Sequence, residues 1–457
     1  MTLRLYNTMS RKIEDFVPIH EGKVGIYACG PTVYDYAHIG NLRSYITWDI
    51  LHRTLKADGF KVKHVMNITD VGHLTGDGDE GDDKMEKGAA REKKTAWDIA
   101  KYYTKAFMAN LNDLNIKEPE VVCRATDHIK EQINLIKKLE RKGFTYTTLD
   151  GIYFDTKKLA GYGRLARLDK QELRAGARVA MGGKHHASDF ALWKFSPVLA
   201  QRQMEWDSPW GKGFPGWHIE CSAMSAKYLG IPFDIHTGGI DHIPVHHTNE
   251  IAQTEAAEGV IPAHYWMHNE FLNMGEDKMS KSLGNFVTID TIKEKNVDPI
   301  AYRYFILQTH YRKQLSFSWE ALTAAQSGLK HLCAIARELP KRASVSRHAV
   351  AEEEKIKDKF IAAINDDLDT PNAIALMWEA IKNKRISQKT LIAWDKILGL
   401  KIKECLEAKI PDSVHKLLTE RDTARTAKDW KKSDELRDRL IKLGYTVMDT
   451  PDGTKVA

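Results

Sequence analysis

The chain has 457 residues, 42% hydrophobic and 28% charged, a length that exceeds one core and predicts about three domains of a globular protein. No apolar run approaches the roughly 18 residues of a membrane span, and the opening MTLRLYNTMSRK lacks the apolar core of a signal peptide, so a cytoplasmic protein without membrane attachment is expected. A formal net charge of +6 permits a polyanionic partner without requiring one.

In chain order, residues 23–29 (KVGIYAC) read as a short strand. Gly30 and Pro31 turn the chain into a helix that carries Arg43 and reaches Leu55, and a second strand follows over 61–70 (KVKHVMNITD). Strand, helix, strand is a βαβ unit, and a glycine-bearing turn at a helix start is where phosphates settle. Residues 72–83, rich in Gly and Asp, read as a mobile loop. Calcium does not fit, because counting from Asp77 puts Asp82 and Gly88 where an EF-hand needs Gly and Glu. Ala96, Ile99, Tyr103 and Phe107 give residues 85–114 a helical pattern.

Another helix begins near Arg124, after which residues 143–210 turn Gly- and Lys-rich, with short β-type pieces at 151–155 and 189–194. This stretch is read as an insertion between the two halves of a doubly wound sheet. Its Trp193, Lys194, Trp206, Trp210 and Lys212 could meet nucleic acid or simply pack the insert. From about 287 the pattern is helical, with amphipathic segments at 319–339, 351–368, 371–384 and 388–398 suited to a bundle. A charged helix over 414–443 precedes a hairpin with Asp452 and Gly453 at its turn. Arg421, Arg425, Lys428, Lys431 and Lys432 read as one basic strip, either a phosphate-backbone contact or a solvated face.

Five scattered cysteines, at 29, 123, 221, 333 and 405, argue against a disulfide framework and leave thiols for metal or substrate chemistry. His246 and Glu250 lie four apart in a predicted helix and project from one face, which alone is an ordinary helix pair. Cys29 closes the first strand and Cys221 lies in GWHIEC. Two Cys, one His and one Glu make an acceptable ligand set for Zn2+.

The run PTVYDYAHIGN, ending in His38, Ile39, Gly40 and Asn41, resembles the HIGH signature of class I aminoacyl-tRNA synthetases, and Lys278 to Ser282 form a full KMSKS much later in the chain. CGPTVYDYAHIGN, NITDV, GWHIECSAMS, HHTNEIAQ and KMSKSLGNF together resemble the cysteinyl-tRNA synthetase family over essentially the whole chain. The resemblance implies an α/β fold: a Rossmann-like, doubly wound parallel sheet with an insertion, then an α-helical bundle and a small C-terminal α+β module. The expected division is 1–124 and 213–275 for the two catalytic halves, 125–212 for the insertion and 276–318 for the KMSKS loop and stem-contact region. The bundle on the anticodon side of tRNA takes 319–405, and a small anticodon-recognition module takes 406–457.

The implied activity is ATP-dependent ligation of L-cysteine to tRNA(Cys), through an adenylate with release of pyrophosphate, by a monomer. One Zn2+ is implied at Cys29, Cys221, His246 and Glu250, and ATP enters as substrate with Mg2+. His38, Lys278 and Lys281 are the expected catalytic groups, since negative charge grows on the phosphates as pyrophosphate leaves. His38, Gly40, Asn41, Asp241 and Lys281 are expected at the nucleotide, with Gly40 permitting its close approach. Thr69, Trp217 and His236 match positions that line the amino-acid pocket. The signature ends in Asn41 in place of a second histidine, and Thr237 stands where the family commonly has glycine.

A soft metal separates cysteine from serine better than a steric pocket can, so no editing domain is expected. The substrate thiolate would join the four ligands or displace Glu250. Two other readings stand beside this one: a tRNA-independent cysteine ligase resembling the mycothiol-pathway enzyme, and a non-catalytic RNA-binding protein on a degenerate scaffold.

Overall fold

The computed structural model describes residues 2–72, 83–168, 183–197, 202–274, 277–278, 286–341, 346–408, 411–443, 445, 447–450 and 453–456. Its centre is a five-stranded sheet in the order Ala263–Asn269, Phe233–Gly239, Lys23–Ala28, Lys61–Ile68, Val121–Arg124. Every neighbouring pair is parallel. Strands buried on both faces need continuous apolar sequence, and Val24, Ile26, Ala28, Val62, Val65, Met66, Ile68 and Ile235 supply it. The chain leaves the middle strand in one direction and rebuilds the sheet on its other side only after the insertion. The strand order therefore reverses between Lys23–Ala28 and Phe233–Gly239, the point where doubly wound sheets bind ligands.

Between the two halves lies the expected insertion, a four-stranded antiparallel sheet of Thr145–Thr147, Gly151–Phe154, Phe190–Phe195 and Gly213–Pro215. Its last strand falls just beyond residue 212, and Trp193 and Phe154 are buried in a core that also takes Ile136, Ile219 and Ala256. Trp193 therefore packs the insert.

The long helix Ile39–Ala57 is buried along most of its length and ties the sheet to the helical half of the chain. Asp49 has no exposed side-chain surface and pairs with Arg53 at 2.7 Å and Arg303 at 2.6 Å. The guanidinium of Arg303 also donates to the carbonyls of Leu398 and Leu114, and that of Arg53 to those of Lys396 and Asn115. Both charges of a buried pair must be hydrogen-bonded for burial to be tolerated, and here they are. The catalytic sheet and the bundle consequently share one continuous core from Leu3 to Ile402.

Bundle helices occupy Trp319–Arg337, Arg347–Asn365, Thr370–Lys382 and Gln388–Leu398, close to the expected spans. Two expected helices are each broken in two. Residues 85–114 form Lys84–Glu92 and Ala96–Asp113, because Lys93 turns to φ 55° and Thr95 caps the second helix by accepting from the Asp98 amide. Residues 414–443 likewise form Asp412–Thr426 and Trp430–Lys442, with Lys428 at φ 58° and Asp429 as the cap. The hairpin pairs Val447–Thr450 with Gly453–Val456 and closes a small core of its own.

Two further expectations need correction. Arg421 is not part of an exposed basic strip: it is buried, and its guanidinium donates to Asp449, Thr454 and the carbonyl of Ser433. Cys333 and Cys405 are joined as a disulfide between Trp319–Arg337 and Ile402–Glu407, so only Cys29, Cys123 and Cys221 remain thiols. The loop read over 72–83 lies outside the described residues except for its two ends, where Arg202 donates to the carbonyl of Gly72 and pairs with Asp83. No helix among the described residues is long and apolar enough to cross a membrane.

His52 and His64 form a buried pair, ring centroids 5.5 Å apart, between Ile39–Ala57 and Lys61–Ile68. Neither nitrogen of His64 has a hydrogen-bond partner. Burial first, and His52 next, pull His64 down to about 4. The unfolded chain takes up this proton near 6.5 and the folded chain does not, so the associated stability is complete above about 6.5 and is lost as pH falls toward about 4. Between pH of about 7 and about 4.5 the parent protein should lose about 2–3 kcal/mol of unfolding free energy that a His64→Phe variant keeps, measured by urea denaturation at each pH. Equal losses in the two proteins would show that this histidine is not the acid-sensitive group.

Candidate active site

A cavity of about 560 Å3 opens at the carboxyl ends of the central strands, at the point where their order reverses. Cys29, at the end of Lys23–Ala28, is held by its amide donating to the Thr237 carbonyl. Gly30 follows because nothing larger fits: a Cβ there would lie 1.6 Å from the Asn67 carbonyl oxygen. Cys221 comes from the helix Trp217–Leu229, and His246 and Glu250 come from His246–Glu258. The four ligand atoms of Cys29, Cys221, His246 and Glu250 lie within 4.8 Å of one another. Three stretches remote in sequence thus converge, as the ligand reading requires.

A second grouping, Cys29, His236, His247 and Glu250, satisfies the same distances. Contacts with Glu250 do not separate the two sets, since His246 Nε2 meets that carboxylate at 3.1 Å. His236 Nε2 bonds Glu250 at 2.8 Å, and His247 bridges Cys29 at 3.3 Å and His268 at 2.8 Å. Cys29, Cys221 and His246 line the cavity; His236 and His247 stand behind it. Three members of the first set, against Cys29 alone of the second, can therefore be reached from the cavity, while Glu250, common to both, stands behind it. Two sulfurs, one imidazole nitrogen and one carboxylate oxygen also match the donors that zinc takes together.

The charges within the cluster are mutually dependent. The hydrogen bond from Cys29 draws the Cys221 thiol down to about 7 against its burial, while burial pushes Cys29 well above the ordinary thiol range. Burial opposes a charge on His246, but Cys221 and Glu250 outweigh it and raise that imidazole to about 10. Against its own burial, Glu250 is held well below the usual carboxylate range by His236 and His246. His246 is oriented by His218, Nδ1 to Nδ1 at 3.0 Å. His247 continues through His268 to Thr8, and burial keeps both rings neutral. Partners of this kind fix the tautomer and aim of a ligating group.

The other end of the cavity is the start of Ile39–Ala57. Its N-cap is His38, whose Nδ1 accepts from the Asn41 amide while Asn41 Oδ1 accepts from the His38 amide, each at 3.3 Å. The sequence weighed His38 for phosphate contact; its ring is also a structural cap, so any such contact falls to Nε2. The first turn carries no acidic residue, which leaves the positive end of the helix to whatever occupies the cavity. Gly40, which lines the cavity, also makes room for its neighbour. A Cβ there would lie 2.9 Å from His38 Cε1 and Nδ1, so the glycine makes room for the imidazole.

Thr69 and Trp217 line the cavity, and Trp217 packs 4.8 Å from the His246 ring. His236 does not line it. Asp241 does, and is exposed, its carboxylate folded back over Gly239, where a Cβ would come within 2.3 Å. Thr237 turns into the core toward the Tyr27 carbonyl, so its side chain does not crowd the cavity. The backbone of Lys278 forms the strand Asp277–Lys278 against Leu272–Met274, and Lys281 lies outside the described residues.

Sequence reasoning did not single out Asn67, Glu220, His218, His247 or His268. Glu220 sits inside the quoted GWHIEC, next to Cys221, but only burial reveals its partner: Thr69 donates to it at 2.9 Å.

The comparisons extend over both halves of the chain. A family model described as "tRNA synthetases class I (C) catalytic domain" matches residues 15–327, and one described as "Cysteinyl-tRNA ligase anticodon binding domain" matches 407–456. The chain is 52% identical to Cysteine--tRNA ligase 1 of Burkholderia lata, covering 100% of this chain and 97% of the relative. It is 46% identical to Cysteine--tRNA ligase of Treponema denticola, covering 98% of each. Among solved structures it is similar in fold to Mycobacterium tuberculosis methionyl-tRNA synthetase in complex with methionyl-adenylate. That match has a TM-score of 0.59 at 15% identity and covers 84% of this chain and 89% of the other. It also resembles the Agrobacterium radiobacter LeuRS-tRNA-LeuAMS complex, with a TM-score of 0.63 at 12% identity over 87% of each chain.

Replacing Gly40 with Ala should cost about 1 kcal/mol by pushing His38 off its capping position, read as a lowered urea midpoint. An unchanged midpoint would mean that the ring moves aside freely.

Proposed function

The chain belongs to the cysteinyl-tRNA synthetase family, and on that footing we propose that it joins L-cysteine to tRNA(Cys) in two steps at the cavity described above. In the first, the cysteine carboxylate attacks the α-phosphorus of ATP, the bond to the bridging oxygen breaks and pyrophosphate leaves with Mg2+. In the second, a hydroxyl of the terminal ribose of tRNA attacks the acyl carbon and AMP leaves. The enzyme acts as a cytoplasmic monomer.

The observation that carries this reading is the convergence of Cys29, Cys221, His246 and Glu250 at one end of a cavity whose other end is a helix start with no acidic residue in its first turn. Those four residues would hold Zn2+. When bound, zinc supplies a preference for sulfur over oxygen that a steric pocket cannot. The residues around it divide the remaining work. Trp217 covers the His246 side of the pocket, and Thr69 faces it from the Lys61–Ile68 side. The helix start and His38 Nε2 supply positive potential to the triphosphate. The ammonium groups of Lys278 and Lys281 would counter the charge that grows as pyrophosphate departs. Asp241, beside Gly238 and Gly239, stands where the adenosine would lie.

The tRNA-independent ligase is disfavoured by the C-terminal module, whose sequence matches an anticodon-binding family and which packs a core of its own. Intact His38, Lys278, Lys281 and the four ligand residues weigh against a non-catalytic protein.

ATP–pyrophosphate exchange should depend on cysteine and should favour it over serine by more than the roughly 10- to 200-fold that a purely steric pocket gives. Lys281→Ala should lower the exchange rate about 100- to 1,000-fold. Elemental analysis should find one zinc per chain in the parent and a clear deficit in Cys221→Ser. Exchange without cysteine dependence, or a metal-free protein that still rejects serine, would end this reading.

A further inference from the structure

The helix Ala96–Asp113 has two unlike faces. Ile99, Tyr103 and Phe107 are buried in the main core, whereas Trp97, Lys101, Tyr102 and Lys105 are exposed. Trp97, Lys101 and Lys105 follow one another at four-residue spacing, and Tyr102 lies three residues before Lys105, so the four side chains form one patch. Trp97 keeps 47% of its surface in water and Tyr102 44%. A single exposed aromatic is ordinary; two on one helix face, interleaved with ammonium groups, mark a surface that meets something.

The patch is continuous with the candidate active site. At one end Tyr102 meets Tyr36, hydroxyl to hydroxyl at 2.7 Å with the rings edge to face, and Tyr36 lines the cavity. At the other end Trp97 packs edge to face against Trp206 of the insertion at 6.2 Å, and its Nε1 donates to the Gln203 carbonyl. Trp206, which the sequence left open between nucleic-acid contact and packing, is partly buried against the core. It supports the more exposed ring of Trp97.

The charge of this strip is positive. The Lys94 ammonium lies 4.6 Å from the centre of the Tyr102 ring, and Lys101 and Lys105 stand on either side of that residue in sequence. The carboxylates near them are engaged elsewhere. Asp98 accepts from the Thr95 hydroxyl at 2.7 Å, and Glu92 accepts from Arg91, Lys94 and Tyr103.

Rings alternating with ammonium groups suit unpaired nucleic acid, whose bases stack on the rings while its phosphates meet the cations. A duplex offers the phosphates but keeps its bases stacked on one another. We infer that the exposed face of Ala96–Asp113 from Trp97 to Lys105 is the docking strip for the unpaired 3' end of tRNA, with a base on Tyr102 and phosphates at Lys101 and Lys105. This rests on the tRNA-charging reading above and names the surface along which the terminal ribose is led to the cavity.

The test is made on the full-length, zinc-loaded enzyme. Kd is measured for a tRNA(Cys) transcript and for the same transcript without its unpaired 3' nucleotides. Tyr102→Ala should weaken the intact transcript about 10-fold and leave the shortened one within about 2-fold, while cysteine-dependent ATP–pyrophosphate exchange, which needs no tRNA, stays within about 2-fold of the parent. Tyr102→Phe, which keeps the ring, should bind the intact transcript within about 3-fold of the parent.

The Lys101→Gln, Lys105→Gln double variant should lower the slope of log Kd against log salt by about 1–1.5 for the intact transcript alone. Equal weakening of both transcripts, a parallel fall in exchange, or unchanged binding of the intact transcript overturns the inference. If Tyr102→Ala fails to fold, the lysine variant still decides, since its substitutions are at exposed positions. A parent enzyme without cysteine-dependent exchange or charging sinks the functional reading itself, whereas normal charging by variants that bind both transcripts as the parent does sinks only this inference.

Discussion

Everything at the site depends on one parallel pairing, between Lys23–Ala28 and Phe233–Gly239, in which Ala28 lies beside Thr237. The two strands are separated by nearly half the chain, and their register alone decides which residues meet at their carboxyl ends. With Ala28 opposite Thr237, Cys29 emerges next to Gly238, and the helix that begins at His246 starts a few residues beyond. A one-residue slip would turn Cys29 to the opposite face of the sheet. The close contacts around Gly30 and Gly238 hold against such a slip, because each lies where even a methyl group would strike a neighbour. The candidate metal cluster is therefore a consequence of sheet register before it is a consequence of ligand chemistry.

Burying so many ionisable groups at one point requires that most of them stay neutral or find partners. The histidines behind the cavity meet this requirement in series. His247 is bonded to His268, His268 to Thr8, and His246 to His218, so the rings partner one another. The negative charge that remains is concentrated on Glu250, between His236 and His246. Against its burial, His246 is raised to about 10 by Cys221 and Glu250, so that carboxylate is balanced by an imidazolium within the same cluster.

Much of this was legible in the sequence, and the reasons for the failures are instructive. The four ligand residues could be named because thiolate, imidazole and carboxylate are rare donors and two of them fall at helical spacing. The βαβ unit could be named from its strand, helix, strand pattern, and the insertion from the turn to Gly- and Lys-rich sequence with short β-type pieces. Helix breaks at Lys93 and Lys428 could not, since a lysine at positive φ has no compositional mark and each break is decided by the following cap, Thr95 or Asp429. Arg421 was misread for a related reason: charge in a sequence does not reveal whether Asp449 will fold back onto it. His236 was assigned to the pocket surface, but its strand alternation turns the ring toward Trp266 and Glu250. The hydrogen bonds that link Asn67, Thr69 and Glu220 join the first catalytic half to a helix of the second, and are visible only once they pack.

The Asn41 that departs from the HIGH signature has a physical account in the cap it completes. The His38 amide needs an acceptor at the third helical position, and the Asn41 carboxamide oxygen provides it while the Asn41 amide donates to His38 Nδ1. A protonated imidazole at position 41 would have no lone pair for that amide, whereas the Asn carboxamide oxygen accepts whatever the pH. The same helix then secures the second signature. Ile39 donates its amide to the Val287 carbonyl, and Tyr302 donates its hydroxyl to the Ile39 carbonyl. Arg43, fully buried, donates to the carbonyls of Phe271 and Lys313. Phe271 and Val287 flank the stretch that carries Lys278 and Lys281, so both roots of that stretch are fastened to the helix whose start faces the cavity. Segments from opposite halves of the sequence thereby share one rigid support, and any displacement of the helix start must carry Phe271 and Val287 with it.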